Sequence, residues 1–174
     1  MPYLAEIIRS AKPGSDWTRN ELMAYDIGIV PLTPEEFFGA TPTSLADLDP
    51  LIVTGSKEYD TENISDTTLR YLTYLDLATH SGQESLIDEF SRQTLDLLGY
   101  SERGLALATR YNIPLTICGD YKSGQTNVCL LDGRTMILLL LQEDMTVFNS
   151  SNPEPQVIAE AIAAYQYNKR QTGA

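Results

Sequence analysis

The stretch that decides the fold lies between Thr126 and Met145 and reads TNVCLLDGRTMILLLLQEDM. Two apolar runs flank the tripeptide DGR at 132–134, and a short polar turn between two such runs is typical of a β-hairpin. The second run passes directly into QED at 142–144, so a strand of buried character ends in an amide and two carboxylates. The stretch therefore predicts an antiparallel strand pair with an acidic end.

Helical patterns flank this hairpin on both sides. Residues 83–98 place apolar side chains at near-3.6 spacing and stop at a glycine, which is typical of an amphipathic helix. Residues 104–121 predict another strand, and residues 119–127 are interpreted as a connection between strands. A final helix begins at Asn152, with an apolar stripe on its buried face. The stripe consists of Val157, Ile158, Ala161, Ile162, Ala164 and Tyr165.

This order of helix, three strands and helix predicts an α+β or mixed α/β fold, with helices packed on a small mixed sheet. The chain of 174 residues is long enough for one domain with a hydrophobic core. We expect a single domain, with a core over residues 83–169 and a helical N-terminal extension over residues 1–66.

The N-terminal extension shows clear helix starts. The residue pattern at Thr18 predicts a capping box, Thr33 followed by proline and two glutamates predicts a second helix, and Asp66 is predicted to cap a third. Residues 40–66 are irregular and acidic, and Leu-Ile-Val at 51–53 is their one candidate strand. This acidic loop also permits a separate hypothesis, a protein inhibitor or toxin-like effector that acts through the loop.

Composition and charge exclude some classes of partner. The formal net charge is −12, from 12 basic and 24 acidic residues. Such a charge argues against sequence-independent nucleic-acid binding and against anionic membrane surfaces. No stretch approaches the roughly 20 apolar residues of a membrane helix. Two cysteines do not form a disulfide framework, so an intracellular location, cytoplasmic or nuclear, is expected.

The C-terminal half resembles a known superfamily. The segment from about residue 83 to residue 169 resembles the restriction-endonuclease-like fold of the PD-(D/E)XK nucleases. Residues 118–168 are similar to a group of uncharacterised proteins abundant in mushroom-forming fungi, whose strands read roughly TDVC and LLVQEDK, followed by PEPQ-IAEAIAAFQ. The resemblance implies a restriction-endonuclease-like core of a small sheet flanked by helices.

The resemblance also implies where a metal-dependent site would lie. The superfamily places an aspartate on the second strand, and the matching residue here is Asn127. Its E-x-K signature ends the third strand, which corresponds to Glu143-Asp144-Met145. Asparagine is a weaker Mg²⁺ ligand than a carboxylate, and methionine supplies neither charge nor donor. The pattern therefore lacks two of the groups that the superfamily uses.

Further positions follow from the same comparison. A glutamate on the preceding helix would be Glu84 or Glu89, and a glutamine on the following helix would be Gln156. Asp120 or Asp132 is a candidate to complete a metal site with Glu143, because carboxylate oxygens suit Mg²⁺.

Two functions are compatible with the resemblance. The first is a catalytically degenerate nuclease-like domain that acts as a binding or interaction protein, with a protein partner and no cofactor. The alternative is an active Mg²⁺-dependent nuclease with a rearranged carboxylate site. The sequence leaves the substrate, the partner and the oligomeric state undefined.

Overall fold

A computed structural model describes residues 9–39, 48–54, 64–133, 136–141 and 152–173. Within these residues the chain forms a 3-10 turn, six helices and three strands, so the predicted α+β class is confirmed. The elements are the 3-10 turn Gly14–Asp16, α1 Arg19–Ala24, α2 Pro34–Phe38, α3 Pro50–Thr54, α4 Asp66–His80, α5 Glu84–Leu97, β1 Leu105–Ile117, β2 Asp120–Asp132, β3 Met136–Leu141 and α6 Glu154–Thr172.

The three strands form one sheet in the order β1-β2-β3, and both described pairings are antiparallel. The hairpin predicted around Gly133 is confirmed by the pairing of Asp132 with Met136. The predicted mixed sheet is wrong for the described strands, which are all antiparallel. The connections between them are short, and a short connection can join only antiparallel neighbours. Cys118 and Gly119 form one such two-residue turn, both with positive φ. The interpretation of residues 119–127 as a connection is therefore wrong, because most of them belong to β2.

Local chemistry explains the short helices of the N-terminal part. Thr18 forms the predicted capping box with Glu21. Thr33 caps the predicted second helix, and it also forms a capping box, with Glu36. The strand predicted at 51–53 is wrong, because Asp49 accepts a hydrogen bond from the Leu51 N–H at 2.9 Å and starts helix α3 instead. The cap of α4 is Ser65, one residue before the predicted Asp66.

Helix α6 packs on the sheet and forms the main core with it. Ile113 and Leu115 of β1, Cys129 of β2 and Ala163 of α6 are all fully buried. The predicted stripe of α6 is rotated, since Val157 and Tyr165 are exposed and small alanines face the sheet. Small side chains let the helix approach the strands closely, and this approach decides which face is buried.

The N-terminal extension docks against the other end of α6. Trp17 and Leu22 are buried with Ala159, and Tyr25 stacks on the Trp17 ring at 5.5 Å. Gly14 lies so close to β2 that an added Cβ would stand 3.2 Å from the Cα of Gly124. Residues 14–25 are therefore part of the folded body.

Two amide side chains of α6 occupy the outer edges of the sheet. The Gln166 side chain accepts from the Thr116 N–H at 2.8 Å and donates to the Thr116 carbonyl at 2.9 Å. Asn168 does the same for Ile137, with both distances at 2.8 Å. Each amide thus replaces a neighbouring strand at an edge where free backbone groups would otherwise invite pairing with another chain.

Replacing Asn168 with leucine is expected to lower the free energy of unfolding by about 1–3 kcal/mol, because the buried Ile137 backbone groups lose both partners. Self-association should rise as well, since the β3 edge becomes available. Urea unfolding and sedimentation measure the two effects. The control is Gln171→Leu on the same helix, whose side chain is exposed. Unchanged stability in the Asn168 variant would contradict the edge role.

Candidate functional site

Asp88 is a carboxylate buried between helix α5 and the sheet. It lies on α5 with 3% of its surface exposed. Asn127 Nδ2 donates to its Oδ1 at 2.7 Å, and Arg110 Nε donates to its Oδ2 at 2.8 Å. Because an unpaired buried charge is strongly unfavourable, the guanidinium is what allows a carboxylate at this position.

Arg110 reaches Asp88 from an unusual backbone conformation. Its φ is 51°, in the left-handed region, which costs a residue other than glycine roughly 1–2 kcal/mol. The β1 residues that pack into the core are three positions apart from Ala108 to Tyr111, but two positions apart from Tyr111 to Ile113. The two-residue alternation of β1 therefore slips by one at Arg110, and this slip presents its side chain to α5.

Glu84 completes a cluster of four polar side chains. Its Oε2 lies 3.4 Å from Arg110 Nη2, one helical turn before Asp88. Glu84, Asp88, Arg110 and Asn127 are called the Asp88 cluster below. The Arg110 and Glu84 side chains are about half exposed, while Asp88 and Asn127 are buried, so the cluster extends from the surface into the core.

A second buried carboxyl group lies on α6. Glu160 is 1% exposed, and Gln156 Nε2 donates to its Oε1 at 3.0 Å. Its side chain lies over Gly124, where an added Cβ would stand 3.2 Å from Glu160 Cγ. Burial raises the pKa of Glu160 to about 7, against the opposing effect of the Gln156 hydrogen bond. This carboxyl group therefore titrates near neutral pH inside the protein.

The structure brings several of the predicted residues together. Asn127 and Glu84 belong to the Asp88 cluster, and Gln156 contacts Glu160. Glu89 instead accepts hydrogen bonds from Arg92 and Gln93 on its own helix, and the Arg92 hydrogen bond lowers the pKa of Glu89.

The candidate metal ligands on β2 lie far apart. Asp120 and Asp132 are exposed at opposite ends of the strand. At about 3.3 Å per residue, Asp120 lies roughly 23 Å and Asp132 roughly 16 Å along the strand from Asn127. Glu143 and Met145 lie outside the described residues. The last described residue before them is Leu141, which pairs with Val128, the neighbour of Asn127.

Sequence reasoning missed Asp88, Arg110 and Glu160. Asp88 lies one helical turn after Glu84 and directly before Glu89. Its position on the helix could identify it as a site residue only if the buried face of the helix were known. Glu160 lies at i+4 from Gln156, in step with the buried Ala163 and Ala164. The 3.6 period with small residues could have identified this face.

In the described part of the chain, no group of three or more His, Cys, Asp or Glu side chains is arranged to hold a metal ion. None of the helices described there is both long and apolar enough to cross a membrane. In comparisons with known proteins, no family model, curated protein or solved structure matches this chain. The fold and site thus define an α+β protein with a buried, charge-paired carboxylate between helix α5 and the sheet.

Proposed function

We propose that this chain is a catalytically degenerate nuclease-like domain that acts as a binding or interaction protein. The observation that supports the proposal is the pairing of Asp88 with Arg110 and Asn127. Asn127 is the position at which the resemblance would place a metal-binding aspartate. Here its amide is used as a donor to a neighbouring carboxylate.

Electrostatics disfavour a metal ion at this point. Arg110 already neutralises Asp88 at 2.8 Å, so a divalent cation on the same carboxylate would lie beside a guanidinium. Like charges repel at that separation, and the repulsion is strongest where water is excluded. The guanidinium thus fulfils inside the protein the charge-balancing role that a metal ion would have.

Other features favour a protein as the partner. The net charge of −12 opposes binding to phosphate backbones. Large apolar side chains are exposed between residues 29 and 37, with Val30 at 77% and Phe37 at 69%. These side chains lie within one stretch of nine residues, and contiguous exposed apolar surface is typical of protein contact surfaces.

The alternative is an active Mg²⁺-dependent nuclease that uses Glu143 with Asp132 or Asp120. The observation that favours it is the pairing of Leu141 with Val128, because the chain continues from there into Glu143. In that mechanism the metal ion would polarise the phosphate and activate water.

Divalent-metal titration and a cleavage assay separate the two functions. We expect no binding heat with Mg²⁺ or Mn²⁺ and no cleavage of single- or double-stranded DNA or RNA, because the Asp88 charge is already balanced. The matched variants are Glu143→Gln and Glu102→Gln, which each remove one carboxylate. Metal-dependent cleavage that is lost in the Glu143 variant and kept in the Glu102 variant would establish the nuclease instead.

A further inference from the structure

A groove lies between the end of α6 and the last residues of β1. It has a volume of about 330 Å³ and is lined by Thr116, Gln166, Lys169 and Arg170. A groove of this size lies at the lower end of the range for small-molecule sites. It is on the opposite end of β1 from Leu105, well away from the Asp88 cluster.

The charge of this groove is opposite to that of the chain. Two of its four lining side chains are cationic, and none is acidic. Three of the other described cations form ion pairs with carboxylates, namely Lys12 with Glu21, Arg92 with Glu89, and Arg110 with Asp88 and Glu84. Among the described residues, no carboxylate forms an ion pair with Lys169 or Arg170. Lys169 and Arg170 thus place two adjacent positive charges at this groove in a protein of net charge −12.

The groove is also held in a fixed shape. The Gln166 amide is bound on both sides to the Thr116 backbone. Arg170 Nη2 donates to the Pro114 carbonyl at 3.0 Å, and its Nε donates to the Gln166 carbonyl at 3.2 Å. Since the guanidinium is already oriented, a ligand would lose little side-chain entropy on binding it.

We infer that this groove binds a small molecule through a phosphate or carboxylate group. Lys169 supplies a mobile ammonium with three donors, and Arg170 supplies a positioned positive charge. Cations near the end of a helix also stabilise its dipole, which is a purely structural role. That role needs no groove and predicts no ligand, so binding distinguishes the two.

The test is an NMR titration of the full chain with inorganic phosphate, pyrophosphate and citrate at low ionic strength. We expect saturable shifts at Thr116 and at the end of α6, with pyrophosphate or citrate binding more tightly than phosphate because each offers more charge. Replacing Lys169 with glutamine should weaken the affinity roughly 2- to 5-fold, as for one exposed ion pair. Stronger binding of pyrophosphate than of citrate assigns a phosphate ligand, and the reverse assigns a carboxylate.

Arg103→Gln is the matched control, because it removes one exposed positive charge elsewhere. Its affinity for pyrophosphate should change by less than about twofold. Arg170→Gln gives a second test, and thermal unfolding verifies that each variant is folded. The inference is overturned if no probe gives saturable shifts at the groove, or if the Arg103 variant loses as much affinity as the Lys169 variant.

Discussion

Replacing Asn127 with aspartate is expected to lower the free energy of unfolding by about 2–4 kcal/mol near pH 8, among the largest effects for a single change in this protein. The Asn127 Nδ2 donor lies 2.7 Å from Asp88 Oδ1, and a carboxylate there would place two acceptors in contact. Arg110 can neutralise only one of the two charges. Urea unfolding measures the loss.

The loss should depend on pH. At about pH 5, one of the two adjacent carboxyl groups in the variant holds a proton more readily than it does at pH 8. The protonated group donates a hydrogen bond to the other, so the loss of stability is smaller. Gln125→Glu on the same strand is the control, since Gln125 is exposed and its variant should change stability by less than about 0.5 kcal/mol. An aspartate variant as stable as the wild type at both pH values would show that the Asn127–Asp88 bond contributes nothing.

The same variant also bears on the proposed origin of the site. Two carboxylates on neighbouring elements are the ligand type that Mg²⁺ prefers. If the Asp88 cluster derives from a metal site, Mg²⁺ should restore part of the lost stability in Asn127→Asp, because a ligand that binds only the folded state stabilises it. Mg²⁺ should leave the wild type and the Gln125 variant unchanged. Equal effects on all three would contradict the relation.

Replacing Glu160 with glutamine is expected to raise the free energy of unfolding by up to about 3 kcal/mol near pH 8 and to have little effect near pH 4.5. Burial raises the pKa of Glu160 from 4.5 to about 7 in the folded chain. Between these values the folded state holds a proton that the unfolded state releases. Wild-type stability therefore falls as the pH rises through this window, and a neutral amide of the same size removes the fall.

Urea unfolding at several pH values across the window tests this expectation. Glu102→Gln is the control, because its side chain is exposed and should leave the pH dependence of the wild type intact. Parallel stability curves for the wild type and the Glu160 variant would mean that Glu160 titrates normally. Gln156 can still donate to the new amide oxygen, so the variant keeps that hydrogen bond.

Much of the secondary structure could be predicted because its signals lie within a few residues of each other. The capping boxes at Thr18 and Thr33 are each complete within four residues. The hairpin around Gly133 needs only a turn and two apolar runs. The wrong strand at residues 51–53 also has a local cause. These residues have a high β propensity, but the cap at Asp49 and the proline after it favour a helix.

The candidate site could be predicted only in part. The resemblance to the nuclease superfamily points to Asn127, and the structure places this residue in contact with Asp88. Its partners were not identifiable, because no local pattern links a residue on α5 to one on β1. The slip in alternation at Arg110 depends on a positive φ. An arginine in the sequence does not predict that conformation, because residues other than glycine rarely adopt it.

The sequence by itself determined the order of helices and strands from α4 to α6, the helix caps at Thr18 and Thr33, and the acidic character of the protein. Only the tertiary structure decided which polar groups are buried together. Asp88 lies 22 residues from Arg110 and 39 from Asn127, and Gln166 lies 50 residues from Thr116. The physical reason is that burial and charge pairing depend on which surfaces meet after the chain folds, whereas caps and turns depend on neighbouring residues alone.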